Sequence, residues 1–584
     1  MSALPIHEPQ RTIPDTQEGM SDEDLVKIFD GYRKEAEDGR RSGPAPRDTV
    51  WEANWDRYWG KYDNSKKAPW QSTYVMPEAP QYIDRWAAAM REALDTGGEW
   101  FGVEDETGQN GPLMPHVTKL MKVLLGRCSI TPDGHQADFS SVFEDQMKMG
   151  ALMQLCASVT WDESRQWPTV SSVDPREVWV DPKLRHLYRR RRYMIDKHEL
   201  QALAKQADAN GEKLYNQTAI AALLTSIDEI EREKEQSSGH SSGGQPTTRQ
   251  EIQIEEWLAT VVDNDGDVVV SRGLTVIAND RFVIRGPEEN PFWHDTDWIV
   301  STPLIPVPFS AYGRTYMEDW ADVADAFVEM TRLILDGTFT STLKAFAVTP
   351  SMLKDPTQIE QGISPNILFQ LSDEGVDIKN FLKEIDLGTL PPESLQVWQA
   401  LKQELRDGAK LSEIALGQLA PKQGTTATEI STVSQSGSAM VRSMARTVES
   451  RFVEPVLTLV YQTALQHMDF TALASELGEE TAMMLQARKE EFRDLKIKFR
   501  VRGISSIVDR QAQLRNMLAL LQLVAQNELL FQEFVKNTSM RKTLNKLFQL
   551  FGIDMADLQL TKEEQAVEAL TAQPAPAAPG AAPA

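Results

Sequence analysis

Cysteine is almost missing from this chain: Cys128 and Cys156 are the only two in 584 residues. Neither belongs to a CxxC, and both lie in apolar runs (LLGRCSI and LMQLCASV), so buried structural thiols are expected rather than a metal or redox pair. Long hydrophobic runs are also missing. Nothing approaches the roughly 18 apolar residues of a membrane span, and the polar start, Met1–Met20, does not resemble a signal peptide. The expectation is a protein made and kept in a cytosol-like compartment unless it leaves within an assembly, with no membrane partner. Positive charge is scarce: 61 basic against 86 acidic residues leave a net charge of -25. That balance argues against tight nucleic-acid binding, which needs clustered Lys and Arg. It leaves room for a surface that a polyanion must pass without sticking.

Catalytic signatures are absent as well. The eight histidines are scattered, none in HExxH and none beside Cys or Asp at metal-ligand spacing. His294-Asp295, in FWHDTDW, is the one suggestive local pair, and a polar turn explains it equally well. There is no GxSxG, no GxxxxGK[ST] and no GxGxxG after a strand. Gly417–Gly424 (GQLAPKQG) lies between two helical patterns, so it is no phosphate cradle. With so many carboxylates, a close pair arises by chance and does not argue for glycosidase chemistry. No catalytic, metal or cofactor residue is assigned.

What remains is a soluble, globular composition, 41% hydrophobic and 25% charged, long enough for several domains or one elaborate one. Residues 1–45 are polar and Pro/Gly-punctuated and read as an arm, with a helix predicted over Asp22–Asp38. An aromatic cluster follows (Trp51, Trp55, Tyr58, Trp59, Tyr62, Trp70), better suited to core burial than to docking. Helices are predicted at Pro80–Leu94, Pro115–Leu125 and Val142–Val159, then strands at Thr169–Val173 and Val178–Val180. Arg189-Arg190-Arg191-Arg192 is the strongest local basic signal. It reads as a solvated strand edge or inter-subunit ion pairs before a nucleic-acid contact. Helices at Lys197–Ala209 and Leu214–Glu235 precede a Ser/Gly-rich loop, Ser237–Thr248. Glu251–Val283 alternates as an antiparallel strand group, and Leu495–Arg502 as one more strand. Asp509–Leu550 is helical in pattern, and 571–584 is an Ala/Pro tail. The class is mixed α/β and helix-rich.

The organising stretch is Thr315–Gly437. At 100° per residue, Glu318, Asp322, Asp325, Glu329 and Asp336 share one stripe, while Trp320, Val323, Phe327, Met330 and Ile334 lie opposite. With Asp319 the first helix, Thr315–Asp336, holds six acids against a single base, Arg332. A second helix, Glu393 to about Leu416, opens at Pro391-Pro392 and turns Val397, Trp398, Leu401 and Leu405 inward. Lys402, Arg406 and Lys410 repeat on its polar face. Between the two, Lys344–Leu390 is too long for a simple loop and suits a small α/β insertion with strands at Phe346–Val348, Ile367–Gln370 and Val376–Lys379. The loop Gly417–Thr426 leads to a capping box, Thr426-x-x-Glu429. A third helix follows, in which Pro455 should produce a kink.

In this order of parts the chain resembles the portal, or head-to-tail connector, proteins of tailed bacteriophages. The carriers are Trp70-Gln71-Ser72 after the tryptophan cluster, the strand-rich middle, Phe309-x-x-x-Gly313 before the acidic helix, and GQLAPKQGTTATEIS. The resemblance covers about 50–550. It implies a portal fold with wing, stem, clip and crown, in a ring usually of twelve subunits at one capsid vertex. The implied partners are double-stranded DNA in the channel, the terminase large subunit, head–tail adaptor or tail proteins, and the major capsid and scaffold proteins. The implied location is the virion, after synthesis in the bacterial host cytoplasm.

By position, 1–45 is an N-terminal arm, 46–310 the wing, 311–343 stem helix 1, 344–391 the clip and 392–416 stem helix 2. The tunnel loop is 417–426, carrying Gln418, Leu419, Lys422, Gln423 and Thr425. The kinked wing helix and strand are 427–508, the crown 509–560 and the tail 561–584. Twelve helices about 10 Å across would enclose a circumference of order 120 Å and leave a bore on the order of 25–30 Å. Glu318, Asp322, Asp325 and Glu329, together with Lys402, Arg406 and Lys410, are then candidates to line it. Acids there would repel a polyanion, and Lys422 could touch phosphate weakly. The opposed stripes could instead pair with one another across helices, or face outer solvent. Another ring-forming virion or scaffold protein, or an unrecognised cytosolic hydrolase working through His294 or Asp295, stands as the alternative.

Overall fold

The computed structural model describes residues 21–42, 46–95, 100–107, 110–131, 133–207, 213–238, 251–262, 266–342, 345–348, 382–385, 391–409 and 443–501. Helix α1 (Asp22–Arg41) starts at Ser21, whose hydroxyl accepts from the Asp24 N–H. Its first turn is acidic and its last basic, as the helix dipole favours. Next come α2 (Arg47–Tyr58), α3 (Glu78–Asp95), β1 (Phe101–Asp105), α4 (Met114–Leu125), the short ladder β2 (Ser129–Ile130) with β3 (Gln136–Ala137), and α5 (Phe139–Leu152). The strand-rich middle holds β4 (Leu155–Asp162), β5 (Trp167–Ser172), β6 (Val178–Val180), β7 (Tyr188–Asp196), α6 (Lys197–Leu203), α7 (Gln217–Ser238), β8 (Glu251–Val262), β9 (Val268–Ala278), β10 (Phe282–Glu288) and β11 (Ile299–Thr302). Then follow α8 (Ala321–Thr342), β12 (Ala345–Val348), β13 (Leu382–Ile385), α9 (Glu393–Gly408), α10 (Glu454–His467), α11 (Ala474–Leu477), α12 (Glu479–Ala487), α13 (Lys489–Asp494) and β14 (Ile497–Val501).

Strands β10-β9-β8-β7-β6 form one antiparallel sheet and β11-β4-β5 a second, while β1 pairs with β14 and β12 with β13. The largest core joins α2 to α5, β4 and β5 with α8, α9 and α10. One face of the five-stranded sheet packs under α7, and Leu25, Phe29 and Ala36 of α1 cover part of the rest. Thus α1, which sequence alone placed in a polar arm, is docked. Its Arg40 is buried, donates to the carbonyls of Pro175, Arg176 and Val178, and lies over the Trp51 and Trp179 rings.

Three expectations need correction. The helix predicted over Val142–Val159 ends at Leu152, and β4 takes the remainder. Residues 155–161 are buried on both faces, and such a strand has no alternation to distinguish it from helix. The four arginines do not form a sheet edge, because β7 lies between β6 and β8; Arg189 and Arg190 are buried, and Arg191 and Arg192 are half-buried. Arg190 is fully buried against Glu255 and Glu37, between the Trp179 and Trp257 rings, and Arg189 pairs with Asp297. The aromatic cluster is divided: Trp51 is buried, whereas Trp59 and Trp70 are more than half exposed.

The predicted disturbance at Pro455 takes a definite form. Residues 443–448 are helical, Glu449–Val453 form one π turn, and α10 follows. Pro455 has no N–H and its ring crowds the carbonyl four residues back; the wider turn, closed by Glu454 N–H to Glu449 C=O, relieves both problems.

Glu255 is the carboxylate on which the sheet–α1 contact converges, accepting from Arg33 (2.9 Å), Arg190 and the Trp257 indole (3.1 Å). Burial alone would raise its pKa; the Arg190 and Arg33 charges outweigh that and hold it below the ordinary value. Its contribution is therefore present above about pH 4.3 and is lost as pH falls through the depressed folded value. Glu255→Ala, which leaves buried Arg190 with Glu37 alone and Arg33 with Asp30 and Asp280, should cost about 1–3 kcal/mol in urea unfolding at neutral pH, with the gap from wild type closing in acid.

Candidate functional site: a helix pair and its strap

The segment leading into α8 turns first as a 3-10 helix, Met317–Asp319, and α8 proper runs Ala321–Thr342. Thr315 and Glu318 cap it reciprocally: the Thr315 N–H donates to the Glu318 carboxylate (2.6 Å), and the Glu318 N–H donates to Thr315 Oγ1 (3.2 Å). α9 returns antiparallel. At one end the Tyr316 hydroxyl donates to the Ala409 carbonyl, and Trp320 presses on Gly408, where a Cβ would come 3.0 Å from the Trp320 Cβ. At the other end Phe327 meets Trp398 at 5.4 Å, and the Trp398 indole donates to Thr331 Oγ1 (2.9 Å). β12 and β13 pair across the base of the insertion between the helices, from Ala345 opposite Ile385 to Val348 opposite Leu382.

The acidic stripe of α8 is engaged within the subunit. Glu318 accepts from Arg47 (3.0 Å), and Asp325 accepts a two-pronged bond from Arg57 (2.9 and 2.8 Å). Glu329 meets Lys67 (3.3 Å) and Arg332 (2.7 Å), and buried Asp336 accepts from the Ser72 N–H (2.6 Å). Asp322 is exposed. On α9, Lys402 pairs with Glu78 of α3 (3.3 Å), and Arg406 acts on the Tyr82 hydroxyl. The two stripes thus meet α2, α3 and the segment 59–77.

That segment is a strap over α8. Buried Arg332 donates to the carbonyls of Tyr74 (3.1 Å) and Thr73 (3.4 Å) and lies 5.2 Å from the Tyr62 ring centre. Burial and the Asp325 charge push the Tyr62 phenol up to about 12, so the ring beside Arg332 is neutral. Sequence reasoning missed the strap and the cations Arg47, Arg57 and Lys67. Helical periodicity reports which α8 residues share a face but not what arrives from 260 residues upstream. Trp70-Gln71-Ser72 was the available signal, a turn rich in side chains that bond backbone.

His294 and Asp295 form no acid–base pair. His294 Nδ1 accepts from the Thr296 N–H (3.1 Å), and burial, with the nearby Arg272 charge, lowers its pKa to about 4. Asp295 is the exposed tip of that turn, at φ 49°. Lys410, the loop residues Gln418, Leu419, Lys422, Gln423 and Thr425, the Thr426-x-x-Glu429 box and the predicted helices of 509–560 lie outside the described residues, as do the strands expected at Ile367–Gln370 and Val376–Lys379.

The family model of the phage SU10 portal protein matches residues 129–583, the greater part of the chain. The chain belongs to that family. As a portal protein it is a structural component of the virion and not an enzyme, and membership implies a homo-oligomeric ring with capsid and DNA as partners. No curated protein matches the chain. Among the described residues, no helix is long and apolar enough to cross a membrane.

Asp336→Ala should leave the Ser72 N–H unsatisfied, costing about 1–3 kcal/mol. The expected readout is faster limited proteolysis within 59–77 at unchanged far-UV circular dichroism.

Proposed function

We propose that twelve copies close into a ring at one capsid vertex, forming the channel through which double-stranded DNA is packaged and ejected. The ring is also the mount for the terminase large subunit and for head–tail adaptor or tail proteins, within a shell of major capsid and scaffold protein. ATP hydrolysis belongs to the separate motor. The observation that carries this reading is the antiparallel pair α8–α9 with a paired insertion at its far end, in a chain whose family is that of a phage portal.

In this reading α8 and α9 are the stem, 344–391 the clip, 417–426 the tunnel loop and 509–560 the crown. With Glu318 and Asp325 engaged by α2 cations, the acids left to face a bore are Asp322 and the exposed part of Glu329. Lys402 and Arg406 serve mainly to hold α9 on α3. Lys422 gives the loop a single salt-sensitive contact with phosphate.

Native mass measurement and negative-stain images of the purified protein should give rings of about twelve 65.6 kDa subunits, with an axial opening on the order of 25–30 Å. A monomer, or a disc with no hole, would overturn the proposal. In rings carrying Asp322→Asn and Glu329→Gln, assembly should persist while linear duplex DNA is retained longer at low salt; unchanged retention would remove these acids from the bore.

A further inference from the structure

Between β11 and α8 the chain forms a stiff hairpin. Ile305 and Arg314 exchange backbone hydrogen bonds (3.2 and 2.9 Å), and Leu304 and Tyr312 plant its two limbs in the core. Gly313 permits the closure, since a Cβ there would stand 2.3 Å from the Ile305 carbonyl oxygen. Pro303, Pro306 and Pro308 limit the outgoing limb, the Ser310 N–H donates to Val307 C=O (3.3 Å), and the Ser310 hydroxyl donates to Tyr312 C=O. At the tip stands Phe309, 97% exposed and held at φ 61°. A bulky side chain in the left-handed region is strained, and an aromatic ring left wholly in water forgoes its burial. Folding of the subunit accounts for neither.

Elsewhere the strap leaves a cleft of about 390 Å³ against α8, lined by Trp59, Tyr62, Val75, Met76 and Phe327. A ring is built from two unlike surfaces repeated head to tail, so each subunit must offer both halves of one contact. Rigid aromatic anchors seated in apolar pockets carry most of the energy of such contacts, and a pre-set loop has little ordering left to do. Being exposed, Phe309 does not fill the cleft of its own subunit.

We propose that Phe309 seats in the strap cleft of the neighbouring subunit. This rests on the ring reading above, so wild-type protein is measured first: a wild type that forms no ring defeats that reading, and only with rings present do the variants judge this one. Asn and Gly tolerate φ 61°, so F309N and F309G should melt at or above the wild-type temperature while ring population at fixed concentration falls at least tenfold. Unchanged ring population in both would overturn the proposal. Cys128 and Cys156 are buried, so Phe309→Cys combined with Met76→Cys should give a ladder of covalent oligomers with a short bismaleimide, and neither single variant should. Assembly loss without a ladder would place the anchor elsewhere and overturn the pairing. A ladder from Phe309→Cys alone would put two tips together and overturn it too.

Discussion

A row of carboxylates on one helix, met by cations from the other end of the chain, joins the parts of this molecule. Arg47, Arg57 and Lys67 reach Glu318, Asp325 and Glu329 across some 260 positions. Each bond is partly exposed and contributes little by itself, roughly 0–1 kcal/mol. What they do together is set the rotation of α8 about its own axis, so that Phe327 and Thr331 face Trp398. Buried Arg332 and Asp336 then hold the strap by its backbone, a stronger constraint because each is a charged group bonding from the core side.

The same logic recurs in the sheet. Arg190, Arg33 and Glu255 are charges that a core of this kind excludes unless each is matched, and here they are matched by one another and by indole rings. The basic run therefore gives the molecule an internal joint between α1 and the sheet, not a surface for phosphate. In a chain of strongly negative net charge, the first two arginines of its densest positive stretch, Arg189 and Arg190, thus lie in its own interior.

Much of the fold was legible because it is local. β6 falls where the pattern placed it, α4 and the start of α9 lie within a residue of expectation, and the disturbance at Pro455 follows from one missing N–H. The family was legible from element order. What was not legible depends on contacts between distant segments: the docking of α1, the inward turn of Arg190, the partners of the acidic stripe. β4 was misread because burial on both sides erases the period that separates strand from helix. At the candidate site, the residues alone gave Phe327, Trp398 and Leu405 their inward side, but Val397, also expected inward, is 49% exposed and Asp336, expected on the anionic stripe, is buried; the partners that occupy those faces were not readable.

The π turn at Glu449–Val453 has a geometric corollary. It accommodates one residue beyond the α-helical count, about 100° of rotation. Residues 443–448 are thereby swung by more than a quarter circle relative to α10, which is fixed on β4 and β5. Shortening the turn by a single residue would point the side chains of 443–448 at different neighbours and set the Pro455 ring against the carbonyl four residues back again, so chain length here sets direction rather than reach.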